Sequence, residues 1–170
     1  DAVVQSDFRS AGQRCPALRL LCLHEGIAAG VHEMIRGAAK ELVVGDTADL
    51  ATDVGPVIDR EAFEGIQKHL QWPNSESKSI LPSVELSSFA MNLILPAAFE
   101  VPTIASVQHE IFGPMLHIVR WSGDPLAVIE QINALGYGLT LGIQTRIDSR
   151  AQAMARAAQV GNVYINRNMI

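Results

Sequence analysis

The chain has 170 residues, 48% of them hydrophobic and 18% charged, with a net charge of −5. This is a globular composition with enough apolar material for one substantial core, and it excludes a disordered chain. The negative balance and the lack of a Lys/Arg-rich run argue against binding to nucleic acid or an anionic membrane. No apolar stretch approaches the roughly 18 residues that a membrane helix needs.

The first recognisable element is the apolar run Leu18 to Leu23, which reads as a buried strand. Ile27, Val31, Met34, Ile35, Ala38, Ala39 and Leu42 then recur at three- and four-residue steps, predicting an amphipathic helix that ends near Gly45. A loop carrying Asp53-Val54-Gly55-Pro56 leads to a second helix from about Arg60 to Leu70. From Trp72 to Leu95 the pattern dissolves into Ser, Pro and Asn, an irregular region with room for one short strand. Met115 to Trp121 reads as a strand, and Pro125 to Leu135 as a helix started by Asp124-Pro125 and stopped by Gly136. Leu139 to Thr145 is strand-like, Asp148 is placed to cap an Ala-rich helix to Val160, and Val163-Tyr164-Ile165 closes the series as a strand. This alternation predicts an α/β domain. The strands of the last fifty residues are expected to lie in one mainly parallel sheet through right-handed crossovers.

Two cysteines, Cys15 and Cys22, stand seven apart in different settings. Cys22 lies in an apolar run and reads as a small buried hydrophobe. The pair makes a poor disulfide framework, so a reducing, cytoplasmic compartment is expected. Cys15 follows Gly12, whose lack of a side chain permits close approach of a ligand, and Arg14 places a cation beside the sulfur. Pro16 suits the first position of a helix. A cysteine at a helix N-terminus next to an arginine favours the thiolate, which is the nucleophilic form. The local residues leave an inert loop cysteine as the other reading.

About 95 residues after Cys15 comes Glu110-Ile111-Phe112-Gly113-Pro114. Ser10-Ala11-Gly12-Gln13-Arg14-Cys15-Pro16 resembles the nucleophile loop of the aldehyde dehydrogenase superfamily, and Glu110 to Pro114 resembles its Glu-x-Phe-Gly-Pro signature. Gly12-Gln13-Arg14-Cys15 followed by Ala17-Leu18-Arg19 is similar to the glutamate-semialdehyde (Δ1-pyrroline-5-carboxylate) dehydrogenase module of the bifunctional proline-utilisation enzymes. Asp53 to Ile58, Asn133 to Thr140 and Gly161 to Asn168 are similar to the same module, and the likeness weakens only between about Trp72 and Val101.

The resemblance implies a three-layer αβα catalytic domain over residues 1–170, with Cys15 as the nucleophile. It also implies NAD as cofactor, with Glu110 accepting hydrogen bonds from a ribose diol and Phe112 packing near the nicotinamide. A small aldehyde would be the substrate, and the parent protein would be a homo-oligomer. In that module a serine usually follows the nucleophile and helps hold the substrate carboxylate. Pro16 removes that hydroxyl and a backbone N–H, and no other residue is assigned to hold the substrate. No glycine-rich dinucleotide fingerprint occurs in the chain. The cofactor domain, its general-base Glu, the oxyanion Asn and a substrate-anchoring loop after Asn168 are therefore expected to lie outside it. Asp1-Ala2-Val3-Val4, with no initiator Met, and the stop at Met169-Ile170 lead to the same expectation of a chain truncated at both ends and inactive when isolated.

The other reading is a non-catalytic domain of the same fold with a packing or oligomerisation role. It gives no reason for Gly-Gln-Arg-Cys to accompany Glu-x-Phe-Gly-Pro. His24, His32, His69, His109 and His117 lack metal-ligand spacing and read as surface or satisfied histidines. Asp46 and Asp49 read as a solvated loop.

Overall fold

The computed structural model of the chain describes residues 1–71, 77–81 and 92–169. Its elements in order are α1 (Ala2–Phe8), β1 (Leu20–His24), α2 (Glu25–Lys40), α3 (Arg60–Leu70), β2 (Lys78–Leu81) and β3 (Ala97–Glu100). They are followed by β4 (Met115–Trp121), α4 (Pro125–Ala134), β5 (Thr140–Ile143), α5 (Asp148–Ala157) and β6 (Asn162–Ile165). The first four strands form a sheet in the order β1-β4-β3-β2, and β5 and β6 form a separate parallel pair. Among the described residues only the β2–β3 pairing is antiparallel. The fold is α/β with a mostly parallel sheet, as the sequence pattern predicts.

β4 organises the larger sheet. Met115 to Val119 are buried without alternation, so both faces of the strand are covered, as parallel strands require. One edge of β4 takes β1, with Leu20 opposite His117 and Cys22 opposite Val119. The other takes β3, with Ala97 opposite Met115. α2 packs on this sheet, burying Ala28, His32 and Ile35. Its carboxylate at Glu25 and its Lys40 sit at the ends that the helix dipole favours. Helices α3 and α4 start on side-chain caps, Asp59 accepting from the Ala62 N–H and Asp124 from the Leu126 N–H.

Three expectations are corrected. The strands of the last fifty residues do not share one sheet: β4 pairs with β1 and β3, and β5 pairs only with β6 among the described residues. The last helix stops at Ala157 rather than Val160, and Asp148 is its first residue, the cap position belonging to Ile147. α1 and β3 had no clear signature: α1 is only seven residues long, and β3 spans four. The short strand anticipated within 72–95 is β2, while residues 72–76 and 82–91 lie outside the described residues.

The β5–β6 pair is tied to the rest at two places. Asn133, at the end of α4, donates from its amide to the Ala157 carbonyl and accepts from the Gln159 N–H, both at 2.9 Å. Beyond β6, Asn168 donates to the Gln5 side chain at 2.8 Å and the Met169 N–H donates to Ser6 Oγ at 3.1 Å. The segments Asn133–Thr140 and Gly161–Asn168 therefore hold one unit against α1 and α4.

Two buried ionisable groups give opposite pH dependences. Burial first, and then neighbouring His69, push the His117 imidazole down to about 4 from 6.5, against a raising effect from the Arg19 backbone. The unfolded chain takes up this proton near pH 6.5 and the folded one resists it. His117's contribution is thus complete above that pH and is lost as pH falls towards 4. We expect urea unfolding to show a His117-dependent loss of roughly 2 kcal/mol between about pH 7.5 and pH 5, absent in His117→Gln. Asp7 is fully buried, neither of its carboxylate oxygens has a hydrogen-bond partner among the described residues, and burial raises its pKa well above 3.8 despite nearby Arg19. Here the folded state disfavours the ionised form, so stability is complete below about 3.8 and lost as pH rises through the elevated value. Asp7→Ala should therefore raise stability at neutral pH by about 1–3 kcal/mol, with the gain vanishing in acid.

Candidate active site

Cys15 is exposed on the loop that joins the 3₁₀ turn Arg9–Gly12 to β1. Several devices fix that loop. Ser10 (φ 57°, ψ 33°) and Ala11 (φ 53°, ψ 32°) are consecutive left-handed residues, a conformation that costs a non-glycine residue roughly 1–2 kcal/mol. Gly12 continues at φ +66°, and a Cβ there would collide with the Gly113 carbonyl. The side chain of Gln13 spans to the Asp53–Ile58 loop, donating to the Pro56 carbonyl at 3.2 Å and accepting from the Ile58 N–H at 2.7 Å. Val54 and Val57 of that loop are buried in the core. Finally, the Ala17 N–H donates to the Arg14 carbonyl at 3.0 Å, closing a turn with Cys15 and Pro16 at its corners.

This geometry corrects the expectation of a helix starting at Pro16. Ala17 to Arg19 lead directly into β1, and the Leu18 N–H is already bonded to the Ser6 carbonyl at 2.9 Å. The chain must extend to reach β4, so a helix dipole is not available to the Cys15 sulfur.

Glu110 and Phe112 are brought to the same place. Both line a cavity of about 320 Å³ together with Cys15, His109 and Thr140. Phe112 is 43% exposed, and Gly113 behind it packs so closely on Ile66 of α3 that a Cβ would clash. Sequence reasoning missed Arg19 as more than a motif residue. Its guanidinium donates to Glu110 Oε1, to the Gly113 carbonyl and to the Arg14 carbonyl, each at 3.3 Å. It also lies 4.9 Å from the centre of the Phe112 ring, within cation–π range. No periodicity or spacing reveals such a hub, because its partners are 5 to 94 residues away.

The histidines form no metal centre: among the described residues no group of three or more His, Cys, Asp or Glu could hold an ion. His69 Nε2 and His117 Nε2 lie 2.9 Å apart in a shared hydrogen bond. His32 Nε2 sits 3.5 Å from Glu100, with its pKa lowered chiefly by burial. Asp46 and Asp49 accept from the N–H groups of Ala48 and Ala51, as turn-formers.

A family model described as the aldehyde dehydrogenase family matches residues 1–170. The chain belongs to the aldehyde dehydrogenase family. Within it, the chain is 45% identical to the bifunctional protein PutA of Escherichia coli over 99% of its own length and 13% of that protein's. It is 31% identical to a 1-pyrroline-5-carboxylate dehydrogenase of Halalkalibacterium halodurans, spanning 99% of this chain and 33% of that protein. A crystal structure of Bradyrhizobium japonicum Proline Utilization A superposes with a TM-score of 0.94 at 44% identity, covering all of this chain and 17% of that one. The chain thus spans a minor part of each of these relatives.

The two thiols should differ sharply in reactivity. Cys15 is exposed, whereas burial pushes the Cys22 thiol up to about 12. At neutral pH, brief iodoacetamide treatment followed by peptide mass mapping should show Cys15 modified at least about a hundredfold faster than Cys22. Equal labelling would mean that Cys15 is shielded.

Proposed function

We propose that this chain is the nucleophile-bearing catalytic segment of an NAD-dependent dehydrogenase that oxidises L-glutamate 5-semialdehyde to L-glutamate in proline catabolism. The observation that carries the reading is the direct contact between the Cys15 loop and the Glu110–Pro114 loop at Gly12 and Gly113. The names of the relatives, PutA and 1-pyrroline-5-carboxylate dehydrogenase, supply the substrate class. In this reading most of the cofactor is held by a domain outside the chain, and the segment works in the cytoplasm within a longer protein.

The residues fit the nicotinamide end of the cofactor. Glu110 is 43% exposed and uses Oε1 for Arg19, which leaves acceptor capacity for a diol. Phe112 offers an accessible aromatic face in the same cavity. NAD supplies the acceptor for the hydride that leaves the aldehyde carbon.

The chain's own chemistry centres on Cys15. Its thiolate adds to the carbonyl carbon, forming a C–S bond while the π pair moves to oxygen and gives a thiohemiacetal oxyanion. Pro16 has no N–H, and the Ala17 and Leu18 N–H groups already donate to the Arg14 and Ser6 carbonyls. Among the neighbouring backbone groups the N–H of Cys15 itself is therefore the one positioned to stabilise that oxygen, a well-aimed donor contributing about 3 kcal/mol. Once the carbon has lost its hydride it is a thioester, and water then cleaves the C–S bond, releasing the carboxylate and returning the thiol. Pro16 donates no hydrogen bond to the substrate, so selectivity for the carboxylated aldehyde comes from elsewhere.

In the full-length protein Cys15→Ser should abolish NAD reduction with the semialdehyde, while leaving the unfolding midpoint within a few degrees. Pro16→Ser should raise kcat/KM for the semialdehyde by roughly ten- to a hundredfold relative to an aliphatic aldehyde without a carboxylate. Retained NAD reduction in Cys15→Ser would refute the assignment of the nucleophile.

A further inference from the structure

Arg19 stands at the junction of both halves of the proposed reaction, and we propose that it is the positioning residue that sets the nucleophile and the cofactor loop relative to each other. This inference rests on the reading of Cys15 and Glu110 given above.

The backbone of Arg19 is immobilised before its side chain does anything. Its carbonyl accepts from the His117 N–H at 3.1 Å, extending the β1–β4 ladder by one residue. From that anchor the guanidinium, 15% exposed, serves three acceptors at once. Nη2 holds the carbonyl of Arg14, the peptide unit that enters Cys15. Nη1 holds the carbonyl of Gly113, and Nε holds Glu110 Oε1. Its Cζ also lies over the Phe112 ring, 4.9 Å from the centroid. A rigid five-donor fork can satisfy this arrangement, and the point charge of a lysine cannot. Two carboxyls face the cation: Glu110 in direct contact, and Asp7, which senses its charge from the core.

The arrangement has a functional consequence. Glu110 is presented to a ribose diol with one oxygen already fixed, and the Arg14 carbonyl is fixed by a group that also fixes Glu110. Loosening either end loosens the other. A residue that only filled space would affect stability and leave cofactor recognition alone.

The test uses the full-length protein. Arg19→Lys should raise KM for NAD at least tenfold while KM for the aldehyde changes less than threefold. Combined with Glu110→Gln, its effect on KM for NAD should be far from additive. An unchanged KM for NAD in a folded Arg19→Lys protein, or full additivity with Glu110→Gln, would overturn the proposal. Should Arg19→Lys fail to fold, Glu110→Gln alone decides, because Glu110 is at the surface. Without cofactor, that variant should speed hydrogen exchange of the Ala17 amide, which shares the Arg14 carbonyl with Arg19, by at least threefold. A Glu110 that serves only the cofactor leaves this amide unchanged, and that result would also overturn the proposal. Failure of the functional reading shows differently: the unmodified protein would then not reduce NAD with the semialdehyde, while the exchange measurement would still report on Arg19.

Discussion

The point on which this structure turns is a contact between two glycines. A Cβ on Gly12 would collide with the Gly113 backbone carbonyl, which leaves no room for a side chain there, while a Cβ on Gly113 would meet the end of the Ile66 side chain of α3 and force it to shift. The same Gly113 carbonyl accepts from the Met115 N–H at 2.8 Å, which starts β4. The central strand, the Cys15 loop, the Glu110–Pro114 loop and a helix from the middle of the chain therefore converge on a few atoms of backbone. A side chain at Gly12 would push the Cys15 loop away from the Glu110–Pro114 loop.

The left-handed pair Ser10–Ala11 belongs to the same constraint. The strain is maintained because the segment is held from both sides: Ala11 is buried to 1% exposure, and Gln13 grips the Pro56–Ile58 backbone from the other end. Strained backbone of this kind persists where surrounding packing over-determines it, and reactive loops are a common location. The Cys15 loop is thus rigid on three sides while its sulfur remains accessible.

Much of this was legible in the residues. Apolar periodicity placed β1, α3, β4 and α4 close to their observed bounds, because each is strongly patterned, and found α2, though that helix ends at Lys40 rather than near Gly45. The pairing of Cys15 with Glu110–Pro114 came from the resemblance of the two motifs. What could not be read was non-local. That β4 takes β1 and β3 as neighbours while β5 pairs with β6 is a matter of pairing between distant segments, on which local pattern is silent. β3 was missed because Ala97-Ala98-Phe99-Glu100 is too short to show a period. The supposed helix start at Pro16 failed because tertiary pairing of β1 overrode a local preference. Arg19 looked like one more polar residue beside a strand, and only the fold reveals that its partners come from both motifs.

The central position of β4 also dictates when the site can exist during synthesis. β1 and β3 are both registered on β4, so residues 20–24 have no parallel neighbour until residues 115–121 have been made. Closing so long a loop carries an entropic cost that is recovered only when the pairing forms, and such topologies fold slowly. The Cys15 loop, which leans on Gly113 and on the start of β4, is therefore assembled late. Until then a nascent chain carries an exposed thiol with no cavity around it and an unpaired strand edge at β1. The interval between translation of residue 24 and residue 121 is when the edge of β1 is open to pairing with the wrong strand.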